Sequence, residues 1–227
     1  MDHLRRAGGI AALIAAATFI FGFWLYVTLL DSAKYGAADV DPELHAAFLA
    51  DHQTIMYLWY LIIYVVFGVV LVVLALALHE RLKAGSPAMV QTATAFALIW
   101  AGLVIASGMV ANIGTGVVVD LAGDDPAQAA AVWLALDVVV NGLGGGNEIV
   151  GGLWVLLISW AAVRSGGLPR TLNSVGMVSG AAGLLTVIPA FEVLGAVFGL
   201  GLIGWFVWLG IVLLNTGLRT VAQPEEG

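Results

Sequence analysis

From Ile10 to Leu30 the chain runs 21 residues without a charged side chain, and from Met56 to Leu78 it does so for 23. A helix at a water interface keeps one polar face, whereas these stretches are apolar nearly all round. Crossing the roughly 30 Å of bilayer hydrocarbon takes about 20 such residues. Six stretches meet that demand: 10–30, 56–78, 89–112, 147–163, 172–190 and 195–215. The composition agrees, with 61% hydrophobic and only 10% charged residues, against about 25% charged in ordinary soluble domains. The fold class implied is all-α, a polytopic transmembrane bundle of about six spans forming a single domain over residues 1–227.

The first run comes after Arg5 and Arg6, as a signal peptide would, but it exceeds the roughly 7–15 residues of a signal core and reads as a first span. Residues 127–146 are harder to place. Pro126 suits a first helical turn with Asp124 or Asp125 as its cap. Asp137 and Asn141 then interrupt the apolar pattern, and Gly142, Gly144, Gly145 and Gly146 end it. Ala127–Val140 is therefore expected to be an interfacial or re-entrant helix leading into the fourth span.

Charge sets the orientation. Of eight Lys and Arg residues, Arg5, Arg6, Arg81, Lys83, Arg164, Arg170 and Arg219 fall at one set of helix ends and Lys34 at the other. Basic loops stay on the cytoplasmic side, which predicts a cytoplasmic-membrane protein with both termini inside. The acidic first loop, where Pro42 begins a short helix with Glu43 in its first turn, then lies outside. No basic patch offers a nucleic-acid site. Cysteine is absent, which removes disulfides and thiolate metal sites.

Small residues recur at four-residue spacing in Gly102/Ala106, Gly176/Gly180 and Gly195/Gly199. In lipid such pairs let helices approach closely, within the bundle first and between two copies of the chain as an alternative. Trp59, Trp133 and Trp205 are placed as interfacial anchors, with Trp100 and Trp154 deeper. Hydroxyls in apolar helices, those of Ser107, Ser159 and Ser179, are expected to bond the preceding turn.

Ionisable and amide side chains at membrane depth are the functional candidates. At about 1.5 Å per helical residue, His52, Asn112, Asn147, Glu148 and Glu192 come out near the outer hydrocarbon boundary, and Asp51, Asp137 and Asn141 belong to the same layer. Glu148 stands out because glycines surround it and permit a backbone break. Together these residues describe an outward-facing polar pocket for a ligand, a cation or a proton; the plainer account is that water and headgroups solvate helix ends. His45 and His52, seven apart with Asp51 adjacent, would share a helical face and could hold a divalent metal, although the pattern is far weaker than a His-Glu-x-x-His motif. No paired histidines suit haem, no span holds a lysine for retinal, and no catalytic residue or cofactor is identified.

The stretch Gly151-Gly152-Leu153-Trp154, continuing through Arg164-Ser165-Gly166-Gly167-Leu168-Pro169-Arg170 to Leu172, Asn173 and Gly176, resembles a widespread bacterial family of small multi-pass membrane proteins classed as a domain of unknown function. The resemblance is clearest over residues 147–180. It implies short loops, a Leu-Pro-Arg turn between two late spans and a helix before the fourth span, and it assigns no activity. Three functions are expected as alternatives: binding of a lipid, small ligand or partner in the polar layer; proton- or ion-coupled transport through Glu148 and Glu192; or a membrane enzyme with a metal on His45, Asp51 and His52.

Overall fold

The structure is a computed structural model that describes residues 2–145 and 148–221. It is 86% helical, and the described residues contain no strand. In chain order the helices are α1 (Asp2–Leu25), α2 (Pro42–Asp51), α3 (Gln53–Tyr60), α4 (Phe67–Leu82), α5 (Pro87–Ala122), α6 (Pro126–Val140), α7 (Ile149–Ser165), α8 (Arg170–Leu185) and α9 (Leu194–Val221). Proline opens α2, α5 and α6, where its missing N–H costs nothing. Asp41 and Asp125 cap α2 and α6, accepting from the N–H groups of Glu43 and Gln128 at 3.0 Å each.

Among the described residues, five helical stretches are long and apolar enough to cross a membrane: His3–Leu30, Gln53–Leu82, Pro87–Ala122, Pro126–Ser165 and Leu194–Asn215. The sequence count of six differs at 172–190. The helix there, α8, has 16 residues, or about 24 Å, because it stops at Leu185. The fourth stretch covers both the expected interfacial helix and the expected fourth span, which are the separate helices α6 and α7 among the described residues. Gly144, at φ 154°, leaves helical geometry shortly after α6 ends.

The chain divides into two compact units. The first comprises Met1–Ala17, Val69–Ala101 and Asn147–Gly227. Here α7 and α8 pack so closely that a Cβ on Gly152 would lie 2.7 Å from the Gly180 carbonyl, and the reverse holds for Gly180. Gly176 and Gly180 thus serve the bundle, while the space beside Gly102 stays open. Trp154 meets Trp205 edge to face at 5.7 Å and Trp100 at 5.9 Å. Trp205 is fully buried, so it is a core residue and not the interfacial anchor expected; its position opposite Gly176 explains why. The Ser159 hydroxyl beside it finds no partner and does not bond the preceding turn.

One end of this unit gathers basic side chains. The Arg81 guanidinium donates to the Gly167 carbonyl at 3.1 Å, Gly85 packs on Ser165, and Arg5 donates to the Leu213 carbonyl. Arg164 and Arg170 flank the same turn and are exposed. The turn itself forms as the Leu-Pro-Arg pattern dictates. Gly166 ends α7 in the left-handed region at φ 65°, which an L side chain disfavours. Asn173 then donates back to the Leu168 carbonyl at 3.2 Å.

The second unit comprises Thr18–Gly68 and Gly102–Gly146. It contains two π-helical segments, Tyr26–Leu30 and Leu61–Val66, and a kinked segment, Asn141–Gly145, in which Gly144 leaves helical geometry. Such π-helical segments insert a residue into the helix and disturb its hydrogen-bond ladder, often at functional sites. Helix α5 meets its neighbours at two adjacent residues: Gly108 leaves room for Tyr64 and Val65 of the second segment, and the Ser107 hydroxyl donates to the Val140 carbonyl at the end of α6 at 3.3 Å. Ser107 therefore serves a neighbouring helix instead of its own preceding turn. In the same unit α2 packs on α6.

Candidate functional site

The best-defined polar constellation is inside the second unit. After the first π-helical segment the chain turns sharply, with Lys34 at φ 50° and Gly36 at φ 84°, and this turn directs Tyr35 into the core. The Tyr35 hydroxyl accepts the Trp133 indole N–H at 2.9 Å and pairs with the Tyr60 hydroxyl at 3.3 Å. Tyr60 closes α3 and stacks parallel to Tyr64, ring centroids 6.2 Å apart. Three elements distant in sequence thus meet at two phenols and an indole.

His45 on α2 completes the wall. It is buried and stacks on Trp133 at 4.2 Å. Its Nδ1 accepts the Gly36 N–H at 3.5 Å, and its Nε2 donates to the Ala37 carbonyl at 3.2 Å. Both ring nitrogens are therefore engaged by backbone groups, which leaves neither open to a metal. Asp137 comes one turn after Trp133 on α6. Its Oδ1 accepts from the Asn141 amide at 3.0 Å, and its carboxylate interacts electrostatically with His45 and Tyr35. Burial lifts the Tyr35 hydroxyl above the usual tyrosine pKa; the Tyr60 and Trp133 hydrogen bonds oppose the shift and the Asp137 charge adds to it.

The expected metal set does not assemble. α2 ends at Asp51, and His52 adopts φ −118° between two helices, so the one-face spacing of a continuous helix is lost. His52 instead stacks on Phe48 at 4.3 Å and donates from Nδ1 to the Phe48 carbonyl at 3.1 Å. Asp51 is exposed. Among the described residues no three His, Cys, Asp or Glu side chains are placed to hold a metal ion.

Of the expected polar layer, the structure joins Asp137 to Asn141 and sets them beside the tyrosine pair. Asn112 is in the same unit, its side-chain oxygen buried without a hydrogen-bond partner, as is the Trp59 indole nitrogen. Glu148 and Glu192 belong to the first unit. Glu148 caps α7, its N–H donating to the Thr186 hydroxyl at 3.1 Å, and Glu192 is exposed beyond the 3₁₀ turn Pro189–Phe191. Asn147 is outside the described residues. Sequence reasoning misses Tyr35, Tyr60 and Trp133 as site residues. It puts Trp133 at the interface, yet Trp133 is buried. The signal in the sequence is Tyr60 and Tyr64, two phenols one turn apart within a span.

Beside this constellation, α5 and α6 form a shallow, open apolar groove lined by residues that include Met109, Ile113, Val117, Leu136 and Val139. Helix α6 therefore presents the groove on one side and Trp133 and Val140 to the core.

A protein family described as Domain of unknown function (DUF4386) matches the chain over residues 7–212. No curated protein and no solved structure matches it.

Proposed function

We propose, of a chain that belongs to the DUF4386 family, that it is a multi-pass cell-membrane protein binding a lipid or small amphipathic ligand at its second unit. The observation that carries this reading is the Asp137–Asn141 pair at the end of the otherwise apolar helix α6, set against the Tyr35–Tyr60–Trp133 hydrogen bonds. A carboxylate at membrane depth is costly and marks function by default. Hydroxyls and a carboxylate suit a ligand head that donates hydrogen bonds or carries positive charge. The α5–α6 groove suits an acyl chain. The unpartnered Asn112 oxygen is a further acceptor within the same unit.

The orientation proposed from charge, both termini cytoplasmic, counts α8 as a short sixth crossing beside the five longer stretches and is supported by the basic residues gathered at one end of the first unit. Association of two copies through the open Gly102–Ala106 face is compatible with the space beside Gly102.

The test is a ligand inventory by native mass spectrometry of the detergent-purified chain and of Asp137→Asn and Asn112→Leu variants. A stoichiometric lipid or small molecule that Asp137→Asn loses supports the reading. Retention of the same ligand by both variants, with the fold intact, removes the second unit as its site.

A second reading is proton- or ion-coupled transport through Glu148 and Glu192. Its support is the position of Glu148 at a helix start just beyond the Gly144 break, since half-helix ends form ion sites in carriers. Flux in proteoliposomes that survives Glu148→Gln would exclude it. The metal-enzyme reading draws no support from the engaged nitrogens of His45.

A further inference from the structure

We infer that the turn joining α8 to α9, residues 186–193, is immersed in lipid below the membrane surface opposite the basic end, with acyl chains and the glycerol layer as its partner. Helices α7 and α8 run antiparallel from the Gly166–Pro169 turn, which Arg164 and Arg170 flank. They have 17 and 16 residues, about 26 and 24 Å. With the charged turn at one membrane surface, both helices stop short of the far edge of a hydrocarbon layer about 30 Å thick. Their far ends coincide, because the Glu148 N–H at the start of α7 donates to Thr186 at the end of α8.

The turn after α8 has the composition for that depth. A turn in water favours Gly, Asn, Asp and Ser; this one reads Thr-Val-Ile-Pro-Ala-Phe-Glu-Val. Val187, Ile188, Phe191 and Val193 are exposed by 56, 44, 44 and 75%. The patch continues the exposed apolar faces of α8 and α9 at Val178, Leu185, Val197 and Leu200, so lipid that covers those helices covers the turn as well.

Acyl chains offer backbone groups no hydrogen bonds, so among them these groups must be satisfied within the protein. Within the turn the N–H groups of Thr186, Ile188, Phe191 and Glu192 donate to carbonyls three residues back, and those of Val187, Ala190 and Val193, which make no such bond among the described residues, require the ester carbonyls of the glycerol layer as acceptors. Pro189 has no N–H to satisfy. The Thr186 hydroxyl donates to the Gly183 carbonyl at 2.7 Å while accepting from Glu148. Glu192 is the single charge in the turn and is exposed, and a carboxylate is costly away from the headgroups, which bounds the depth to about a few ångströms below them.

The absence of native cysteine permits single-site spin labelling of the full chain in phosphatidylcholine vesicles. Val187→Cys and Val193→Cys labels report the turn, Val178→Cys reports a lipid-facing helix, and Ala84→Cys reports the basic end. The expected result is collisional access favouring oxygen over a water-soluble nickel chelate at 187 and 193, as at 178, with the opposite preference at 84. Preference for the nickel chelate at 187 and 193 would place the turn in water and overturn the inference. Protection from both reagents would overturn it too, by showing a protein partner there. All four positions are exposed, so the labels disturb no core packing.

Discussion

His45 stacks on Trp133 with ring centroids 4.2 Å apart and planes 31° from parallel, so one imidazole joins α2, α6 and the loop that carries Tyr35. Its two nitrogens hold the backbone of Gly36 and Ala37. His45→Leu keeps the bulk but strands both backbone groups, at a cost of about 1–3 kcal/mol. The expected outcome is a lower unfolding midpoint, with faster amide exchange at 34–38 and unchanged exchange in α7 and α8. Unaltered protection in the loop would mean that the clasp is held by something else.

The Tyr35 hydroxyl supplies a pH dependence whose sign can be worked out. Burial raises its pKa in the folded chain, so the folded state holds this proton more tightly than the unfolded state does. The stabilisation is complete below the usual tyrosine value of about 10 and is lost as pH rises from there through the raised value. Tyr35→Phe should flatten this part of the alkaline stability curve while leaving the neutral-pH slope alone. Equal alkaline slopes in both proteins would show that Tyr35 does not carry it.

Gly152 and Gly180 set the distance between α7 and α8. A Cβ on Gly152 would stand 2.7 Å from the Gly180 carbonyl and 2.8 Å from the Leu184 nitrogen. Both are backbone atoms that no rotamer change can move aside. Gly152→Ala should cost about 1–3 kcal/mol by overpacking, and Gly152→Val more. The contrasting site is Gly102, which has open space beside it. Gly102→Ala should therefore leave the unfolding midpoint of the monomer unchanged or raise it, and a comparable loss at both sites would contradict the packing difference.

Thr186 joins the start of α7 to the end of α8 through one hydroxyl. Thr186→Val preserves the shape and removes both bonds, leaving the Glu148 N–H without its partner, at about 1–3 kcal/mol. Amide exchange at Glu148 and in the first turn of α7 should accelerate, and Thr186→Ser should restore it. Failure of the serine variant to restore protection would assign the effect to the methyl group.

Several local features are legible in the sequence because their causes are local. The caps at Asp41 and Asp125, the prolines that open their helices and the glycine-rich end of the α6 run all form where adjacent residues dictate. The site is less legible. Asp137 and Asn141 are visible as polar interruptions one turn apart, but Tyr35 gives no sign that its loop folds inward. Trp133 and Trp205 resemble interfacial anchors because periodicity within one helix does not tell lipid from a neighbouring helix as the apolar surroundings. The His45–His52 pairing assumes a continuous helix, and the break at His52 removes it.

The solvent is determined by the sequence itself: long apolar runs and few charges require helices in lipid, since backbone groups there must bond within their own segment. Tertiary structure alone decided which polar side chains became partners. Hydrogen bonds such as Trp133 to Tyr35 join residues 98 positions apart. Their formation depends on a turn at Lys34 and Gly36, a π-helical segment after Tyr60 and glycine-sized gaps along α5, which act together only once the helices are packed.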